Sequence, residues 1–475
     1  MSRNRDVCSV LVVLTLLSAA LPVAAQKVGS SVSGAPSLFQ GSVPTGQPTG
    51  TLLSLSLKEA LDRALKYNLG VIESDQNTRA AHALRLSRLN ALLPNLSARL
   101  SSTLEQINLR ALGFKNFSFP GVSFPTIVGP FGVADGRAYL SQQIFNWSDI
   151  KSWKSASESE TASRYSYQND RDLVALTTGS AYLLVISDGA SVDSIRAQVK
   201  TAETLHQRAV DQNKAGVVAS IDVLRARVEL QTQQQRLIAA ENQLAIDKLA
   251  LARVIGLPNG QEFQLTDSVP YTPLADITLD QALKQAYATR ADFRSAQAQV
   301  RAAELARQAA AAENYPWLST DGNYGVIGSP NFGSSHGTFT FAATLNVPIF
   351  QGTRVRANKL QADSVLQQRK AELADLDGRI DSQVRTAFFN LKSSSDLVAV
   401  AQSNSDLASQ TLVQAQDRFS AGVADNLEVV QAQESVATAN QSYIASLYAY
   451  NLAKISLAQA IGVAEQSTLQ YLGAK

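Results

Sequence analysis

The chain has 475 residues, a formal net charge of +2, 17% charged residues and one cysteine, Cys8. That balance leaves no excess positive charge for a phosphate backbone, which excludes nucleic acid as an expected partner. One thiol near the N-terminus excludes a disulfide framework and thiolate metal sites from the rest of the chain.

Met1 to Ala25 reads as a secretory signal, with Arg3 and Arg5, an apolar run from Val7 to Leu21, and Val23-Ala24-Ala25 at the cleavage point. Its removal takes Cys8 away and, with the loss of Arg3, Arg5 and Asp6, moves the net charge from +2 to +1. Residues 26–50, rich in Gly, Ser, Pro and Gln, read as a flexible N-terminal linker. From Leu57 to Leu93 apolar positions recur at helical spacing, and Pro94 stops the run. The period then falls to two. Leu96, Ala98, Leu100, Ser102 and Leu104 alternate with Asn95, Ser97, Arg99, Ser101 and Thr103, and Ala138, Leu140 and Ile144 with Tyr139, Ser141 and Gln143. These strands make a β-hairpin, 95–146, around a loop from about Arg110 to Gly132 holding Phe114, Phe117, Phe119, Phe124 and Phe131. Beyond it, a run almost free of Gly and Pro reaches Gly216, enough for about 100 Å of helix. A turn at 214–219 and a further helix, ending near Gly256-Leu257-Pro258, complete a first unit over 51–262. No stretch of ~20 apolar residues follows the signal; the longest, Leu173 to Ile186, is interrupted by Thr177, Thr178, Gly179 and Ser180.

An inter-repeat linker, 263–276, leads into a second unit over 277–464 with the same order. It has a helix from Leu279 stopped by Pro316, a hairpin 317–350, a long helix, a turn at 420–426 and a last helix; 465–475 read as a C-terminal tail. The clearest strand sets Phe339, Phe341, Ala343, Leu345, Val347 and Ile349 against Thr338, Thr340, Ala342, Thr344 and Asn346. Leu57, Ala60, Leu61, Arg79, Ala80, Ala81, Pro94 and Leu96 recur 222 positions on as Leu279, Ala282, Leu283, Arg301, Ala302, Ala303, Pro316 and Leu318. Ala215, Gly216, Val217, Ile255 and Gly256 recur 206 positions on as Ala421, Gly422, Val423, Ile461 and Gly462. Each half is therefore the same supersecondary unit, with residues lost from the second hairpin loop, Gly328 to Gly337. In the last helix Leu427, Val430, Ala437, Ile444 and Ile455 form one stripe and Val429, Val436, Tyr443, Tyr450 and Leu457 another, which predicts neighbours on two sides.

Hairpins with one apolar and one hydroxyl, amide and carboxyl face suit lipid outside and water inside; the alternative is a soluble sheet packed on a core. Four strands cannot close a membrane barrel, so closure requires several chains, and three would give about twelve strands.

The chain resembles the TolC-like outer-membrane efflux proteins over almost all of the sequence after the signal. The resemblance rests on Leu57-x-x-Ala60-Leu61-x-x-Ala64-Leu65-x-x-Asn68, Arg290-Ala291-Asp292-Phe293-Arg294, Leu92-Leu93-Pro94, Val347-Pro348-Ile349-Phe350-Gln351-Gly352 and Phe419-Ser420-Ala421-Gly422-Val423 before Leu427-Glu428-Val429. It implies a mainly α fold with a membrane β-barrel: long helical hairpins form a periplasmic α-barrel, and four strands per chain complete a twelve-stranded barrel in a homotrimer. The implied protein is a trimeric channel or export duct in the outer membrane of a Gram-negative-type bacterium, part of a tripartite efflux or type I secretion system. It would contact outer-membrane lipid, a periplasmic adaptor and an inner-membrane pump or ABC transporter, with no cofactor. A soluble periplasmic coiled-coil scaffold or adaptor is the alternative.

Carried over by resemblance, Ala215-Gly216-Val217-Val218 and Ala421-Gly422-Val423-Ala424 look like the helix-hairpin tips that meet the adaptor. Asp222 and Glu428, six residues past the glycines, are similar to carboxylates ringing a closed aperture. The plainer reading is a glycine permitting a turn and an acid favoured in a first helical turn. Arg225 and Gln431 stand where some members carry a second acid, and Val218 and Ala424 where some carry a basic residue, departures that leave the resemblance without support for a specific ionic lock. Arginine at 225 suits pairing with a nearby carboxylate. No enzyme is expected: His82, His206 and His336 lie apart without ligand or triad spacing, and Asp170 and Asp172 read as solvated helix-face charges.

Overall fold

The computed structural model describes residues 38–113, 118–119, 122–123, 125–267, 271–274, 277–330, 334–421, 423 and 426–473. The signal at 1–25, the first part of the linker, Phe114, Phe117 and Phe124 lie outside them. After a 3-10 turn at Leu38–Gln40, the first repeat contains β1 (Leu53–Leu55), α1 (Leu57–Tyr67), α2 (Leu69–Asn90), β2 (Asn95–Asn108), the short β3 (Ser118–Phe119) and β4 (Val122–Ser123), β5 (Ile127–Phe145), α3 (Trp147–Lys214) and α4 (Ser220–Ile255). The second contains β6 (Phe263–Leu265), α5 (Leu279–Thr289), α6 (Ala291–Ala312), β7 (Trp317–Gly328), β8 (His336–Asn346), α7 (Arg354–Ser420), α8 (Asn426–Ala460) and α9 (Ala464–Leu472).

The repeat is visible in the way each first helix starts and breaks. Ser56 and Glu59 form a capping box on α1, and Thr278 and Gln281 form the equivalent one on α5. The single helices expected from Leu57 to Leu93 and from Leu279 to Tyr315 are each two, broken at Asn68 and Arg290, which are 222 positions apart. Asn68 ends α1 and caps α2: its carboxamide oxygen accepts from Gly70 N at 2.9 Å, while its amide donates to Phe39 O at 2.8 Å and Val254 O at 3.3 Å. Arg290 is buried at the second break, donating to Ala460 O at 3.1 Å, Gln383 Oε1 at 2.9 Å and both oxygens of Asp292. Beside each break a helix ends on a left-handed glycine. Gly256 has φ +69° and Gly462 φ +74°, and a Cβ on Gly462 would lie 2.7 Å from Arg290 Cα.

Other sequence expectations also need correction. Residues 38–50 are not loose linker: Val43 N donates to Tyr67 O, Leu69 N to Gly41 O and Thr45 N to Gly256 O, so this segment clasps the first break. The inter-repeat linker contributes β6, which pairs in parallel with β1, and Asp267, which accepts from Leu57 N at 2.6 Å and from the buried Tyr182 hydroxyl at 2.9 Å. The C-terminal tail folds as α9 with Ala464, Thr468 and Leu472 buried. Its docking uses Asp172, one of two aspartates expected in solvent. Asp172 accepts from Glu465 N at 2.8 Å, Arg171 pairs with Glu465, and burial raises the carboxyl pKa of both Asp170 and Asp172.

The helices form a layer. On the strand side of the breaks the order is α2-α3-α6-α7, and towards the hairpin turns it is α4-α3-α8-α7. α8 thus has neighbours on two sides, with Val429, Ala437, Tyr450, Ile455 and Leu457 buried and Leu427 exposed. α3 does hold a window apolar enough to cross a membrane, contrary to the expectation for Leu173 to Ile186. Its Val174, Ala175, Tyr182, Leu183 and Val185 instead lie in a core shared with α1, α4, α8 and α9. A second core joins Ala282 and Ala286 of α5 to Ile380, Val384, Leu457 and Ile461. Beyond Pro94 and Pro316 the chain forms one antiparallel sheet in the order β2-β5-β7-β8. β5 runs back to Ile127, so the expected loop to Gly132 is shorter by the strand residues Ile127 to Gly132.

Candidate functional site

The sheet register sorts the side chains into two faces. Leu96 opposes Leu140, which opposes Gly322, which opposes Phe341; the next row of that face is Ala98, Ala138, Tyr324 and Phe339. Leu100 and Phe339 are each 77% exposed, a continuous apolar surface with no protein over it. The other face carries Ser97, Tyr139, Asn323 and Thr340 in one row and Arg99, Arg137, Gly325 and Thr338 in the next. Where strands meet helices, Phe145, Trp147, Tyr315, Trp317 and Leu345 line an apolar hollow, the composition of a membrane–water boundary. This is a lipid-facing sheet with a polar inner wall.

At the other end lie the two helix turns. Asn213 Nδ2 donates to Val218 O at 2.8 Å, and Gly216, at φ +75°, lets the chain reverse after Ala215. In the second turn Ala421 N donates to Asp417 O and Val423 N to Arg418 O; Gly422 and Ala424 lie outside the described residues. Val217 and Val423 are each 71% exposed, so both turns present an apolar residue at corresponding positions.

Asp222 occupies the first turn of α4, and Arg225 reaches it across one turn at 3.4 Å. Glu428 occupies the first turn of α8 and pairs with Arg418, in the last turn of α7, at 3.2 Å. The structure therefore gives each carboxylate a cation, one local and one across the hairpin. Gln431 stands a turn beyond Glu428 on α8, exposed. Between the hairpins Arg236 of α4 forks onto Glu434 of α8 with two contacts of 2.9 Å, a link absent from the sequence reading. No periodicity marks it, because its partners lie 198 residues apart. His82 is not an isolated surface group: it contacts Oε1 of Glu160 at 3.2 Å, and Arg85 and Arg164 share that buried carboxylate. His206 and His336 lie elsewhere, on α3 and at the start of β8.

A strand-built, lipid-facing end joined to a long helical layer defines a subunit of an outer-membrane channel. A family model described as "Outer membrane efflux protein" matches residues 61–257 and 282–463. The chain belongs to the outer membrane efflux protein family, and it is an outer-membrane efflux component rather than a soluble periplasmic scaffold. It is 25% identical over 485 residues to outer membrane protein OprJ of Pseudomonas aeruginosa, covering 96% of this chain and 95% of OprJ. It is 22% identical over 416 residues to the toluene efflux pump outer membrane protein TtgF of Pseudomonas putida, covering 86% and 83%. The CmeC outer membrane channel of Campylobacter jejuni shares the fold with a TM-score of 0.74 at 17% identity, over 86% of each chain.

Proposed function

We propose that three copies of this chain close into one pore that carries cargo from an inner-membrane pump and a periplasmic adaptor across the outer membrane. The supporting observation is that both layers share the same open edges. β2 and β8 bound the sheet, while α4 (with α2) and α7 bound the helical layer, so first repeat meets solvent on one side and second repeat on the other. Edge strands in lipid require partners, and joining unlike edges head to tail closes a ring. Ile349 and Phe350, 95% and 89% exposed beside the β8 edge, suit burial against a neighbouring copy.

In this reading the turns at 215–218 and 421–424 are the adaptor-docking tips, and Asp222, Arg225, Glu428 and Gln431 surround the aperture. Threefold repetition brings like carboxylates together, so Arg225 and Arg418 moderate repulsion in the closed state. The duct makes and breaks no bonds; the energised partner selects the cargo. The test is mass determination in detergent together with bilayer recording. A trimer with pore currents is expected, and a monomer recovered from the soluble periplasm without detergent overturns the proposal. Replacing Asp222 and Glu428 together by Ala is expected to raise conductance and lower cation preference; unchanged currents refute their aperture role.

A further inference from the structure

We propose that Arg99 and Arg137, with Tyr139 beside them, form an anion-binding band on the inner barrel wall, which engages oxyanion groups of passing cargo. The proposal rests on the duct reading, since only a closed barrel turns this face inward. Arg99 and Arg137 are direct cross-strand partners on β2 and β5. Like charges in that position repel, so their pairing needs compensation from nearby groups.

The compensation covers one charge. Arg137 forks onto Asp135, with Nε 2.6 Å from Oδ1 and a second nitrogen on Oδ2, and Nη1 reaches Asn323 Oδ1 at 3.5 Å. Its stem lies over Gly325 of β7, where a Cβ would meet the β5 backbone, 2.6 Å from Arg137 Cα, as well as Arg137 Cγ at 2.6 Å, so the glycine permits the close strand approach that seats the arginine. Arg99 and Arg137 place their guanidinium carbons 5.6 and 5.8 Å from the Tyr139 ring centroid. Such cation–π contacts orient a guanidinium without neutralising it. Among the described residues Arg99 forms no ion pair, and it is exposed. Its charge is therefore held in place, solvated and directed at the inner surface.

Among the described residues no other carboxylate on this face cancels it. Asp321 lies in the row of Asn95 and Glu105 in the row of Phe131, four and six residues along β2 from Arg99. At ~3.4 Å per residue these are about 14 and 20 Å away, beyond the ~8–10 Å screening length of physiological salt. The band thus carries one net positive charge per chain and three around the pore. The fork of Arg99 beside an aromatic ring fits a carboxylate, phosphate or sulfate, with Arg137 adding charge and the ring available to an apolar part of the same molecule.

The test compares purified wild type with Arg99→Gln and with Arg99→Gln/Arg137→Gln in planar bilayers. Reversal potential is read in a KCl gradient, and block is measured with benzene-1,3,5-tricarboxylate. The double variant is expected to shift towards cations and to be blocked about tenfold more weakly, the loss of roughly one charge-assisted hydrogen bond. Arg99→Lys/Arg137→Lys is expected to keep the wild-type reversal potential but lose most of the block, because an ammonium neither forks nor stacks in the same way. If the double variant fails to insert, Arg99→Gln carries the test, since it removes no ion pair. Pores whose selectivity and block match wild type overturn the band alone; wild type that forms no pore overturns the duct reading with it.

Discussion

Lys454 is fully buried in α8, with its ammonium 2.8 Å from Tyr471 O and 4.9 Å from the Tyr450 ring centroid. Burial lowers its pKa from 10.5 to about 8. Across that window the unfolded chain keeps a proton that the folded chain has released, so stability rises with pH from about 8 to about 10.5. At ~1.4 kcal/mol per unit the whole depression is about 3 kcal/mol, present as a penalty below pH ~8 and relieved above pH ~10.5. Lys454→Met removes the charge but leaves the Tyr471 carbonyl without its donor, at about 1 kcal/mol. The variant is therefore expected to lead wild type by about 2 kcal/mol near pH ~7.5 and to trail it by about 1 kcal/mol near pH ~10.5. With ~2.1 cal/mol/K of unfolding entropy per residue, that swing is about 3 °C in Tm. The assay is paired thermal unfolding in detergent, followed by tryptophan fluorescence, taking the difference between proteins so that other titrating groups cancel. A difference independent of pH, or wild type ahead near pH ~7.5, refutes the reasoning.

At Gly462 alanine would be strained at φ +74° and would press on the Arg290 backbone, so Gly462→Ala is expected to lower stability; the cost should be at least ~2 kcal/mol. Gly189→Ala, in the middle of α3 with open space around its Cβ, should raise stability by about 0.5–1 kcal/mol. Chemical denaturation of both variants checks the pair, and equal effects would contradict the geometry. Asp188 of α3 faces Asp247 of α4 and Tyr448 of α8, and burial followed by that carboxylate pushes it up to about 7. A raised carboxyl favours the folded state at low pH, and that stability is lost as pH rises from about 4 to about 7. Asp247→Asn should therefore exceed wild type by about 2 kcal/mol near pH ~7.5, roughly half the full shift for a partly wetted pair, and match it near pH ~4. A constant gap in pH-dependent unfolding would show that Asp247 does not raise Asp188.

Most of the architecture was legible because it follows local rules. The switch from a 3.6 to a 2-residue period at Pro94 and Pro316, with alternation in Leu96–Leu104 and Phe339–Leu345, marked strands with one apolar face, although the alternation runs on to Ile349 while β8 ends at Asn346. What escaped depended on distant partners. Nothing local distinguishes Asn68 from a mid-helix asparagine until Phe39 and Val254 supply its acceptors. Asp172 reads as a solvated charge until Glu465 arrives from the C-terminus. At the helix turns the glycines were legible from the duplication, but the Arg418–Glu428 and Arg236–Glu434 pairs were not, because each joins helices that only packing brings together.

The sequence by itself determined a duplicated unit of helix, hairpin and very long helix, since prolines, glycines and hydrophobic period act within a few residues. Tertiary structure decided that the two units lie side by side in one sheet and one helical layer with matching open edges. It also decided which polar residues meet: Arg99 and Arg137 are 38 residues apart in sequence and become neighbours only through the β2–β5 register. That register depends on burial and backbone pairing across the whole sheet, and shifting it by one residue would turn every side chain of a strand to the other face.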